Sequence, residues 1–159
     1  MTLSKIKKMK DERGFTIVEL LIVIVVIAIL AAIVIVAYNG VQNRAKSSAG
    51  QATANSLVKK FEALNSIKGA YYTTPAAGVT AAQINTYASA APAVGEANID
   101  NTASVVAATS ATASGLTATT ANNGNTVAVW ACPAGANIWY WDFAAATPAA
   151  VQVKAGAGC

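Results

Sequence analysis

Histidine is absent from the sequence, and cysteine occurs twice, at Cys132 and Cys159. With so few soft ligands no zinc site of ordinary spacing can be written. Without histidine the commonest general base is missing, so no nucleophile–base pair of the usual kind is available. Aspartate is scarce too, limited to Asp11, Asp100 and Asp142. Calcium takes about six or more oxygen ligands, usually with several carboxylates close together, and no such cluster is present. Only 11% of residues are charged, and the basic excess is local. Up to Gly14, Lys5, Lys7, Lys8, Lys10 and Arg13 stand against Asp11 and Glu12, a net +3; from Phe15 onward six basic residues stand against five acidic ones, a net +1. A nucleic-acid footprint is therefore not supported beyond the first 14 residues. The composition implies no cofactor and no metal, no catalytic constellation emerges, and the expected role is not enzymatic.

What the sequence does have is one long apolar run. Leu20 to Ala37 contains no polar or charged residue over 18 positions. That is the length at which an apolar run reads as a membrane-spanning helix rather than a buried core helix. A single span must satisfy its own backbone in hydrocarbon, so Phe15–Ala37 is expected to be helical despite its many Val and Ile residues. At ~1.5 Å per residue it reaches ~35 Å, enough to cross. The basic arm before it stays in the cytoplasm by the positive-inside rule, which puts the C-terminal part outside. Tyr38 sits where an interfacial anchor is expected. The run is too long for an ordinary secretory signal, and no small-residue cleavage signal follows it. Ala28, Ala31 and Ala32 place small residues at helical spacing, which either permits close helix–helix approach or is plain helix filler. One carboxylate, Glu19, stands at the start of the run. A charge within a span costs roughly 2.5–3.5 kcal/mol on insertion scales, and a lone one marks a functional site by default.

Gly14-Phe15-Thr16-Ile17-Val18-Glu19-Leu20-Leu21-Ile22-Val23 resembles the class III signal of the type IV pilins and their relatives, the pseudopilins. The resemblance covers about the first 40 residues of the chain. It implies that a prepilin peptidase cuts between Gly14 and Phe15 and methylates the new amine of Phe15. It implies that Glu19 guides assembly by pairing with the Phe15 amine of an adjacent subunit. Opposite charges within a few ångströms favour both charged forms and offset their desolvation. A glycine before the cut suits this role, because a side chain there would obstruct the peptidase cleft. The implied partners are the peptidase, further copies of the subunit in a homo-oligomeric helical filament, an inner-membrane assembly platform and the membrane itself. Many members of the family carry a proline where this chain has Val36, so a kink or local melting is expected nearer Gly40.

Beyond Tyr38 the helix is expected to continue to Lys68, with Gly69 as its C′ residue. Asn39-Gly40 usually signals a turn, yet Val41–Ile67 keeps helical spacing and contains no proline. Ala54, Leu57, Phe61 and Leu64 fall on one face, and Val41, Ala45, Ala49 and Ala52 on nearly the opposite one. Thr80–Ala90 is expected to hold a short helix. Ser104–Thr109, Leu116–Thr120, Thr126–Ala131, Asn137–Phe143 and Ala150–Lys154 are expected strands, with a hairpin turn over 132–136. Along the fourth of these, Ile138 and Tyr140 face one way and Trp139, Trp141 and Phe143 the other; one set should pack on Leu57, Phe61 and Leu64. Two cysteines in an exported segment are read as a disulfide. Closing its 26-residue loop contributes roughly 3–4 kcal/mol in the chain-entropy view.

The expected fold class is α+β. A long N-terminal helix, membrane-spanning then amphipathic, packs against a small antiparallel β-sheet head. The expected organisation is a cytoplasmic leader over 1–14, a transmembrane and filament-core helix over 15–38, its amphipathic continuation over 39–68 and an extracytoplasmic head over 69–159. The expected function is a structural subunit of a type IV pilus-like surface filament, stored as a single-pass membrane precursor. A pseudopilin of a type II secretion or DNA-uptake machine is the alternative, and an anchored single-span binding protein a more distant one.

Overall fold

The computed structural model describes residues 14–72, 76–121 and 124–159. Residues 1–13 of the expected 1–14 leader therefore lie outside the described residues. The chain divides into two compact units, one ending at Tyr38 and one running from Asn39 to Cys159. A single α-helix, α1 (Ile17–Lys68), contributes to both. The apolar run and the amphipathic segment are thus one helix, unbroken at Asn39-Gly40.

In the first unit every side chain from Phe15 to Tyr38 is exposed, including all of its Ile, Leu and Val residues. This part of α1 is long and apolar enough to cross a membrane. Exposed hydrocarbon on every side of a helix means that lipid or other helices are its solvent.

The second unit builds a core on the remainder of α1. Ala54, Leu57, Phe61 and Leu64 are buried on one stripe, as their spacing predicts. Gly50 joins that stripe. A Cβ there would press on the Gly124 carbonyl and on Tyr140, so the close approach of helix and sheet requires glycine. Val41, Ala45 and Ala52 on the other face are exposed, and Ala49 is half-buried. The helix ends as expected: Gly69 has φ +73°, and its N–H reaches the Asn65 carbonyl at 2.8 Å.

Opposite α1 stands a sheet of β1 (Ala77–Gly78), β2 (Val105–Ala107), β3 (Val127–Cys132), β4 (Gly135–Asp142) and β5 (Ala149–Gly156). β3, β4 and β5 form an antiparallel meander, with Val129 opposite Ile138 and Ile138 opposite Val153. The β3–β4 turn is tighter than expected: Cys132 pairs with Gly135, leaving Pro133-Ala134 as the loop. The outer edge of β3 is covered from Val127 to Ala131, by β2 running parallel along Val127–Val129 and β1 antiparallel along Trp130–Ala131. Where the two short strands meet, the Val129 carbonyl accepts from both Val79 and Ala108, each at 3.0 Å. Gly78 allows this junction, since any Cβ there would run into the Ala108 backbone.

Ile138 and Tyr140 face α1 and share one core with Phe61, Leu64, Ile84, Val127 and Val129. Trp139 takes the opposite face, in a smaller cluster with Leu116, Ala108 and Ala128 flanked by Trp130 and Trp141. The alternation predicted for this strand therefore assigns its aliphatic–tyrosine set to the helix. α2 (Ala81–Ser89) fills the expected short-helix position and starts on Thr80, whose N–H donates to Gln83 Oε1 at 2.9 Å.

One expected strand is a helix instead. Ala118–Ala121 forms a single turn, α3. β-Branched threonines read as strand, but the hydroxyls decide otherwise. Thr120 Oγ1 accepts from the Thr117 N–H at 2.8 Å, and Thr117 Oγ1 accepts from the Thr120 N–H at 3.2 Å. Side chains that hydrogen-bond their own backbone outcompete the ladder here.

Candidate functional site

The start of α1 is built by four residues. Thr16 precedes the first helical residue, and its carbonyl accepts the first intrahelical bond, from the Leu20 N–H at 3.3 Å. Its hydroxyl accepts from the Glu19 N–H at 3.2 Å. In return Glu19 Oε2 accepts from the Thr16 N–H and from the Thr16 hydroxyl, both at 2.8 Å. This reciprocal arrangement is a capping box, Thr-x-x-Glu, and it satisfies donors that a helix N-terminus otherwise leaves without partners. The negative charge also faces the positive end of the helix dipole.

Glu19 is thus not a bare carboxylate on an apolar helix. One oxygen, Oε2, takes two donors from Thr16, while Oε1 has no hydrogen-bond partner among the described residues. Thr16 is the residue that the reading of single positions missed. The spacing of a threonine three residues before a glutamate, ahead of an apolar run, was the available signal.

Gly14 and Phe15 lie outside the helix and are exposed, with Phe15 at 85%. Apart from its chain neighbours, no heavy atom of the described residues lies within 4 Å of the position of a Cβ on Gly14. The Gly14–Phe15 bond thus lies in exposed, non-helical chain just ahead of Thr16.

Residues 9–35 match the family model described as the prokaryotic N-terminal methylation motif. The chain carries a class III prepilin signal. This signal is characteristic of type IV pilins, and together with the long apolar helix it supports a membrane-anchored precursor. It implies processing by a prepilin peptidase and assembly with pilins in general. No curated protein and no solved structure matches the chain. The match ends inside the apolar run, so the unit from Asn39 to Cys159 is described by its own geometry alone.

In that unit the two cysteines are joined, Cys132 to Cys159, with Cα atoms 6.0 Å apart. Asn137 locks the same corner: its Oδ1 accepts from the Cys159 N–H at 3.1 Å, and its Nδ2 donates to the Ala111 carbonyl at 2.7 Å. A second clasp sits near the start of the head's helix. Ser47 donates to Asp142 Oδ1 at 2.7 Å, and its oxygen accepts from the Phe143 and Ala144 amides at 2.8 and 3.0 Å. Hydrogen bonds from Ser47 and the Ala144 amide hold Asp142 below the ordinary carboxylate range. A third joins helix to strand end: Glu62 accepts from the Tyr71 hydroxyl at 3.0 Å and from the Gly156 N–H at 2.9 Å. Desolvation, then the Glu62 carboxylate, raises Tyr71 above its ordinary value. Among the described residues no group of three His, Cys, Asp or Glu side chains is placed to hold a metal.

Proposed function

We propose that this prepilin is a structural subunit of a type IV pilus-like surface filament. The leader, residues 1–14, holds the precursor with its N-terminus in the cytoplasm, and cleavage after Gly14 frees the Phe15 amine for methylation. The helix over 15–38 then leaves the bilayer for a filament core, where apolar helices bury one another. Residues 39–68 carry the head, 69–159, on the outside. The same signal serves the short piston of a secretion or DNA-uptake machine. Electron micrographs of the cell surface, labelled for the head, separate the two: long labelled filaments support the pilus.

The observation that carries the reading is the half-used carboxylate of Glu19. Its Oε2 is engaged by its own helix, which offsets part of the cost of placing it in an apolar surface. Its Oε1 stays open, and cleavage creates a cation one residue before Thr16. A neighbour displaced along the filament axis presents that amine to the open oxygen while the apolar faces stay buried. A subunit out of register leaves a buried charge unpaired, at several kcal/mol. Glu19 thereby sets register.

Two variants test this. Gly14 replaced by a bulky residue leaves the precursor uncut and the surface bald. Glu19→Ala is cleaved and inserted, yet joins wild-type filaments poorly when the two are co-expressed. Met1 at the start of assembled protein overturns the processing step, and normal filament numbers from Glu19→Ala overturn the pairing.

A further inference from the structure

β5 ends the sheet: it pairs with β4 and, among the described residues, with nothing on its other side. The direction of its free groups follows from two observations. The tight turn makes Cys132 and Gly135 a hydrogen-bonded pair, so Gly135 and every second residue of β4 point their backbone groups to β3. The residues between, Ala136, Ile138 and Tyr140, point theirs to Ala155, Val153 and Val151. This leaves Ala150, Gln152, Lys154 and Gly156 facing outward. The Gly156 N–H donating to Glu62, away from β4, shows the same alternation.

The fold seals one end of this edge with Glu62. At Ala150, Gln152 and Lys154 it leaves three N–H and three C=O groups without partners among the described residues. The usual protections of an edge strand are thin: no proline and a single charge within Ala149–Gly156, whereas the outer edge of β3 is taken up by two short strands.

We infer that this edge pairs with the same edge of a second copy of the chain, antiparallel and centred on Gln152. Register selects the occupant. With Gln152 opposite its own counterpart, Lys154 faces Ala150 and Ala150 faces Lys154, so all six outward groups are paired and no lysine opposes a lysine. Shifting the centre to Val151 leaves two residues paired per strand, and shifting it to Val153 removes Ala150 from the pairing. The strand is self-complementary in hydrogen bonding and in charge at one register. Such a contact is isologous and closes at two copies. It therefore adds a head-to-head link that the helix-driven filament does not require, and it stands whether or not the filament reading holds.

The test is residue-resolved amide exchange on the full chain in nonionic detergent at low and high protein concentration. The expected result is that the Ala150, Gln152 and Lys154 amides slow by about tenfold or more on concentration. Gln152→Lys, a change at an exposed position, puts like charges directly opposite and abolishes the slowing. Gln152→Pro removes an outward N–H and does the same while leaving the β4 ladder intact. The inference is overturned if the three amides exchange as unpaired groups at every concentration, or if the slowing survives Gln152→Lys. Protection seen only in cell membranes, never in pure protein, assigns the edge to another chain and overturns it as well.

Discussion

Glu19 closes a capping box and, on the function proposed above, has a second job that a single substitution can separate from the first. As the third residue of α1 it closes the capping box with Thr16, and as a charge it is available to a neighbour's amine. Glutamine can fill the first role but not the second. Glu19→Gln is expected to keep the first turn of α1 intact and to fail at incorporation, whereas Glu19→Ala loses both. Thr16→Ala removes the cap alone, at about 1 kcal/mol. Its expected signature is normal cleavage with faster amide exchange over Ile17–Leu20 in detergent. A Thr16→Ala protein whose first turn exchanges like wild type would show that the box contributes nothing.

At the scale of elements, α1 contains two glycines in opposite situations. No heavy atom lies within 4 Å of a Cβ built on Gly40, so Gly40→Ala is expected to stabilise the helix by about 0.5–1 kcal/mol. Gly50 is pressed between the Gly124 carbonyl and Tyr140, so Gly50→Val is expected to destabilise by about 1–3 kcal/mol through overpacking. Thermal unfolding of the two proteins in one detergent checks both signs. The Ser47–Asp142 clasp carries a pH dependence of known direction. Its carboxyl is depressed when folded, so its contribution is fully present above the ordinary value of 3.8 and is lost as pH falls through the lower folded value. Asp142→Asn should flatten that acid limb of the stability profile. Tyr71 works at the other end of the scale. Its raised value means stability present below pH 10.0 and lost as pH rises through the folded value, and Tyr71→Phe should remove that alkaline limb.

For the whole molecule, the Cys132–Cys159 bond closes a loop containing the β4 and β5 strands. Reduction is expected to cost roughly 3–4 kcal/mol, seen as a lower unfolding midpoint of the head while the apolar part of α1 keeps its helicity. How much of this architecture the sequence disclosed follows from contact range. The apolar run, the Leu57–Phe61–Leu64 stripe and the alternation along Ile138–Trp141 are local periodicities, and each appears in the structure where its period places it. β2 falls inside the strand expected over Ser104–Thr109, whereas β1 has only two residues and exists because β3 offers an edge, which no local pattern announces. Ala118–Ala121 was misread because threonine's β-branch and its hydroxyl argue for opposite conformations, and only the neighbouring threonine decides between them. The capping box at Thr16 was legible by spacing and overlooked because the carboxylate drew the reading alone.

One further consequence concerns mechanical load. α1 belongs to both compact units, and the chain passes from the first to the second only through the peptide between Tyr38 and Asn39. Tension applied to the apolar half therefore enters the head along the helix backbone. Both cysteines lie far downstream of Lys68, so the disulfide is no part of the helix, and tension reaches the covalent loop over 132–159 only through contacts the helix makes with it. Besides the buried Leu57–Phe61–Leu64 stripe, two such contacts are Ser47 on Asp142 and Glu62 on Gly156, which start about four turns apart on the helix and both end inside that loop. Both clasps are hydrogen bonds, which break and re-form, while the Cys132–Cys159 bond keeps the two strand ends they grip within one covalent loop.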